Sequence, residues 1–163
     1  GGDEDDVGLP HDTVTLSAED LSRLPWYGVQ NLPCDTVDRH LVDAGVDTAT
    51  TRTIALRLDG DSLVATPHLG VAGIGDTIRI RSDSLVWVAH FQEMSPFADG
   101  RRTVRGHGTV AAASQEMAAS SGARLVVADD ESNCGRYYYS IAAYHPDRPD
   151  SVYTADPPMW IRF

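Results

Sequence analysis

The sequence predicts an all-β chain: an antiparallel Greek-key β-sandwich preceded by an N-terminal extension that contains a short helix. Three observations carry this expectation. From about residue 51 the chain breaks into about eight short apolar runs separated by turn residues. Two of them, "DTIRIR" with Ile78 and Ile80 and "WIRF" with Ile161 and Phe163, alternate with period two. The runs recur at near-regular spacing, the pattern of a sandwich or barrel.

Residues 1–12 are acidic and glycine-rich and read as a flexible tether. They fit either a disordered tail or tag remnant, or the stretch that follows a lipidated N-terminal Cys in a bacterial lipoprotein. Residues 13–50 form the extension. "TVTLS" (13–17) suits a short strand, and Ser17 offers an N-cap to "SAEDLSRL", with Asp20 at the capping-box position. Pro25 stops that helix. "PWYGVQNLPCD" then reads as a loop whose Trp26 and Tyr27 pack down on the core. "TVDRHLVDAG" fits a helical turn ending at Gly45.

The sandwich is expected over residues 51–163. "TRTIALRLDG" alternates Ile54, Leu56 and Leu58 with polar residues, and "DGDS" turns the chain into "SLVATPHLGVA". "DTIRIRS", "LVWVAHF", "GTVAAAS", "ARLVVAD", "RYYYSIAAY" and "MWIRF" complete the strands. "SPF" (95–97) looks like a turn that pins Phe97 to the sandwich, and "ASQEMAASSG" fits a helical turn or a long loop. In "RYYYS", Tyr137 and Tyr139 face one side and Tyr138 the other, so one set belongs to the core.

The net charge is −11, with 13 arginines, no lysine, and aspartate outnumbering glutamate 19 to 5. That balance argues against nucleic acid and against an anionic membrane surface as partners, because both need a basic face. Without lysine there is no side-chain Schiff base and no P-loop. No apolar run is long enough to span a membrane. Cys34 and Cys134 fit no metal-binding spacing. They are expected to form one disulfide, hence an oxidising compartment; the alternative is two unrelated buried thiols.

Three segments resemble the cupredoxins, the blue-copper electron carriers and their relatives. "LVATPHLGVAGIGDTIRIRSDSLVWVAHF" is similar to the family's strand, Gly-Asp turn and ligand-bearing strand; "CGRYYYSIAAY" resembles its Gly-x-Tyr-x-Tyr strand; "PPMWIRF" is similar to its closing strand. The resemblance covers about residues 53–163 and implies a cupredoxin-like sandwich. A blue-copper site needs two imidazoles, a thiolate and a weak axial thioether. Laid over this chain, the family pattern puts those ligand positions at Trp87, Ile141, Tyr144 and Pro157, so that all four ligands are replaced by apolar or aromatic groups. The resemblance therefore implies a member without copper ligands. A rearranged set of His90, Cys134, His145 and Met159 is the alternative. Against it, a strand of about 26 Å separates Cys134 from His145, and Trp87 and His90 fall on opposite faces of a regular strand. Trp87 then reads as a core residue where a metal would sit.

Arg101, Arg102, Arg105 and His107 make a local basic island in "ADGRRTVRGHG". It is either an anion or acidic-partner loop or a solvated hairpin whose arginines pair with nearby aspartates. The carboxylates of "DGDS" and "ADDES" match no calcium loop, and no nucleophile elbow occurs. The expected function is non-enzymatic: an exported bacterial domain, periplasmic or on the cell surface, serving as an interaction or structural subunit of a larger assembly. It would use no cofactor, take protein partners, and have no membrane span but a possible lipid anchor. Where exposed, Trp26, Tyr27, Tyr153 and Trp160 would be its candidate contact aromatics. The alternatives are a copper electron-transfer protein and an anion- or small-ligand-binding module.

Overall fold

Two β-sheets face each other across one apolar core. The structure, a computed structural model, describes residues 29–91, 93–108 and 122–163. The elements are β1 (Val29–Asn31), α1 (Cys34–Asp43), β2 (Thr53–Asp59), β3 (Ser62–Thr66), β4 (Gly70–Gly73), β5 (Thr77–Arg81) and β6 (Val86–Phe91). They continue with β7 (Thr103–His107), β8 (Gly122–Val126), a 3-10 turn (Glu131–Asn133), β9 (Gly135–Tyr144), β10 (Tyr153–Ala155) and β11 (Pro158–Arg162). The large sheet runs β4-β11-β9-β6-β7, with β1 and β10 also pairing with β9; the small sheet runs β3-β2-β5-β8. Most neighbours are antiparallel, as expected, but β2 pairs with β5 and β4 with β11 in parallel.

The period-two positions turn inward. Ile54, Leu56, Ile78, Ile80 and Leu125 of the small sheet meet Trp87, Phe91, Tyr137, Tyr139, Ile141, Met159 and Ile161 of the large one. Each fully buried aliphatic or aromatic side chain contributes about 1.5–3 kcal/mol. β6 and β9 are buried on both faces: Val86, Val88, Ala142 and Tyr144, on the reverse side, are at most 2% exposed. That is why "VWVAHF" and "SIAAY" read as continuous apolar runs rather than alternating ones.

α1 covers the reverse face at the other end of the large sheet. Cys34, Val37 and Leu41 lie at helical spacing and pack on Val71 of β4, Trp160 of β11 and Cys134. A helix of ten residues is marginal alone, so this packing holds it. Its end is a Schellman motif: Gly45 N–H donates to Val42 O at 3.0 Å and Val46 N–H to Leu41 O at 2.9 Å. Gly45 sits at φ +72°, where a glycine is cheapest. The Cys34–Cys134 disulfide fixes the start of α1 to the residue before β9. The expected disulfide is thus formed, and the expected helical turn is a helix of almost three turns.

Several strands differ from expectation. "SLVATPHLGVA" divides at Pro67, because the chain leaves the small sheet after β3 and joins the large one as β4. β7 arises inside the segment read as a basic loop. β1 lies in the extension yet pairs with Tyr137, Arg136 and Gly135. Gly135, at φ +149°, admits this approach; a Cβ there would sit 2.2 Å from Gln30 O. The strand expected at 13–17, the helix at 17–24, most of "GTVAAAS" and nearly all of "ASQEMAASSG" lie outside the described residues.

Candidate interaction surface

The positions that the cupredoxin resemblance assigns to copper ligands are packing positions. Trp87 and Ile141 are fully buried in the inter-sheet core, on neighbouring strands. Trp87 lies opposite Gly106, whose missing side chain makes room for the indole: a Cβ there would be 2.7 Å from Trp87 Cζ2. Tyr144 is buried on the reverse face, opposite Val86. β9 is continuous through both positions, so residues 141 and 144 point to opposite sides of a sheet and cannot meet at one ion. Pro157 is buried between β10 and β11 and accepts from Tyr139 N–H at 3.3 Å. These residues do not fit a copper ion.

The rearranged set does not converge either. Cys134 is consumed in the disulfide. His145 follows β9 and lies with Asp147, whose N–H donates to its Nδ1 at 3.1 Å. The ten residues of β9, about 33 Å of strand, separate the two. His90 is half-buried on the reverse face, 2.7 Å from Thr103 Oγ1, whereas Met159 is fully buried in the core against Gly70. Among the described residues no group of three or more His, Cys, Asp or Glu side chains could hold a metal ion.

Polar groups near this core serve the fold. The Tyr137 hydroxyl lies 2.8 Å from both Asn133 O and Oδ1 and accepts from Asn31 Nδ2 at 3.2 Å. Asn133 Nδ2 donates to Pro96 O at 2.9 Å. Burial raises the Tyr137 pKa, with the Asn31 bond opposing, and burial alone pushes that of Tyr139 well above the usual phenol range. Trp87 Nε1 and Tyr139 Oη are buried without a hydrogen-bond partner.

The basic island is dispersed by β7. Arg101 Nε donates to Asp99 Oδ2 at 2.6 Å and its Nη2 to Arg124 O at 3.3 Å. Burial raises the Asp99 pKa, but the Arg101 backbone and guanidinium bonds and its charge outweigh this and hold it low. Arg102 Nε donates to Phe91 O at 2.9 Å. Arg105 and His107 lie on the reverse face of β7 and are also engaged within the chain. Of these four residues, Arg105 and His107 share the reverse face of β7, whereas Arg101 and Arg102 precede the strand and bond to Asp99, Arg124 O and Phe91 O. Of the expected contact aromatics, Trp26 and Tyr27 lie outside the described residues. Tyr153 is half-buried against the core. Trp160 does face away from the core, but α1 covers it: it is 8% exposed, with His40 at 5.0 Å and the Arg136 guanidinium at 5.8 Å. Neither Tyr153 nor Trp160 is an exposed contact.

The basic surface lies instead on the outer face of the small sheet. Register sets Arg79 beside Arg124 on β8 and Thr53 on β2; the next row holds Arg81, Gly122, Ala55 and Thr66. Arg57 follows one step along β2, opposite Val64. Arg57, Arg79 and Arg124 are exposed and Arg81 half-exposed. Arg81 pairs with Asp83. None of the ion pairs among the described residues involves the other three. The arginines occupy the solvent-facing positions of "ALRL", "TIRIR" and "ARLVV", so period two could have found them one strand at a time. Only the strand register brings them together.

A groove of about 470 Å³ runs between residues 46–53 and the Pro67–Val71 segment. Two of its three threonines are committed to the fold: Thr50 Oγ1 donates to Asp76 and Thr51 Oγ1 accepts from Val71 N–H. No helix among the described residues is long and apolar enough to cross a membrane. No protein-family model and no curated protein matches the chain.

Proposed function

We propose that this chain is a non-catalytic interaction domain of an exported, extracytoplasmic assembly, built on a cupredoxin-like Greek-key sandwich that has lost its copper ligands. The observation that carries the reading is that the four positions the resemblance assigns to copper ligands, Trp87, Ile141, Tyr144 and Pro157, are all buried packing positions. The three segments similar to cupredoxins fall largely on β3 to β6, β9 and β11, and β6, β9 and β11 lie side by side, which supports the family reading. The Cys34–Cys134 disulfide supports an oxidising compartment, periplasmic or at the cell surface. With those positions packed, this reading assigns function to the surface, which is all that an interaction or structural role needs.

The test is the size of the protein in a gently prepared extract of its own source, followed by antibody on a sizing column. An interaction subunit elutes well above the mass its own polypeptide shows on a denaturing gel and shifts down after dissociation in salt or mild denaturant. Elution at the monomer position at every salt concentration overturns the proposal.

A further inference from the structure

The outer face of the four-stranded sheet breaks a local rule. Like charges directly opposite on neighbouring strands are destabilising, yet Arg79 and Arg124 are paired in register. With Arg81 and Arg57 they form a diagonal band across three strands. In a chain of net charge −11 with 24 acidic residues, carboxylates to neutralise this band were available, but among the described residues only Arg81 of the four is in an ion pair. The neighbours in register, Thr53, Ala55, Thr66 and Gly122, are small, and Arg57, Arg79 and Arg124 are exposed. Locally unfavourable charge that persists without compensation is characteristic of functional surfaces.

We infer that this band is a docking surface for a carboxylate-rich, extended segment of a partner polypeptide. Charge complementarity selects an anion, and the guanidinium fork matches a carboxylate in two parallel hydrogen bonds. Spacing selects the form. Arginines two apart on a strand are about 6.7 Å apart and strands about 4.8 Å apart; alternate side chains of an extended acidic peptide repeat at the same 6.7 Å or so. A single-stranded nucleic acid would need aromatic rings for its bases to stack on, and β2, β3, β5 and β8 carry none. The inference rests on the interaction-domain reading and names the chemistry of its partner.

The test uses the full chain and a fluorescein-labelled polyaspartate peptide of about ten residues, followed by anisotropy at about 20 mM and about 300 mM salt. Saturable binding at low salt, weakened at high salt, is expected. It should fall at least about tenfold in the Arg79→Thr/Arg124→Thr double variant and stay unchanged in Arg148→Thr, an exposed arginine beyond β9. The double variant should also melt about 1–3 °C higher, because a like-charge pair is gone; a lower melting point marks the arginines as structural and overturns the inference. So does absent binding, binding equal in the double variant, or tighter binding of an oligothymidylate of equal length. A dimer of the chain alone that dissolves in the double variant makes the occupant a second copy and overturns it as well. A failed titration with a large native complex refutes this surface alone; a monomeric native protein refutes the broader reading.

Discussion

Removing the disulfide should cost this domain a large part of its stability. The Cys34–Cys134 bridge spans a sequence separation of 100, and a cross-link closing a loop of that length restricts the unfolded chain by about 4.7 kcal/mol at 25 °C. Natural domains have only about 5–15 kcal/mol in total. The perturbation is Cys34→Ser with Cys134→Ser, compared with the oxidised parent by denaturant titration and by thermal melting. For a domain of this size the entropic figure corresponds to a melting-point drop of roughly 10–20 °C. The loss should be concentrated where the bridge acts. Val37 and Leu41 depend on contact with Val71 and Trp160, so α1 amides should lose hydrogen-exchange protection before those of β6 and β9. A fall of less than about 1 kcal/mol, or α1 protected as in the parent, would refute the view that the bridge holds the extension on the sandwich.

Two further outcomes follow from the core. Gly106→Ala pushes a methyl to within 2.7–2.9 Å of three atoms of the fully buried Trp87 indole and should destabilise by about 1–3 kcal/mol in urea titration; an unchanged midpoint would mean the indole has room to move. Alkaline pH should unfold the protein. Tyr139 and Tyr137 both have raised pKa values in the fold, so their contribution is intact below the unfolded phenol pKa of about 10 and is lost as pH rises above it. Tyr139→Phe should leave stability at pH 7 essentially unchanged, since the hydroxyl has no partner, and should flatten the alkaline fall by up to about 1.4 kcal/mol per pH unit; an equally steep fall in the variant contradicts this.

What the sequence revealed follows from which physical signals are local. Alternation in "TIALRL", "TIRIR" and "WIRF" fixed β2, β5 and β11, and the same rule sorted Tyr137 and Tyr139 from Tyr138. β7 escaped because its inward positions are Val104 and Gly106, one of them side-chain-free to admit Trp87. Alternation correctly turns Trp160 away from the core, but it cannot say that α1 covers that face. The helical spacing of Cys34, Val37 and Leu41 was legible once cysteine is counted as apolar. The basic loop drew attention because its charges are contiguous, whereas the arginine band is assembled from three segments and exists only in the strand register.

The packing of Trp87, Ile141 and Tyr144 is tested most directly by copper. Purified protein, oxidised and after mild reduction of the disulfide, is titrated with Cu(II) and its visible spectrum recorded. With Trp87 and Ile141 in the core and Tyr144 on the opposite face, no intense thiolate-to-copper band at about 600 nm should develop in either state. A saturable blue band at one equivalent of copper would contradict this packing and favour the electron-transfer reading.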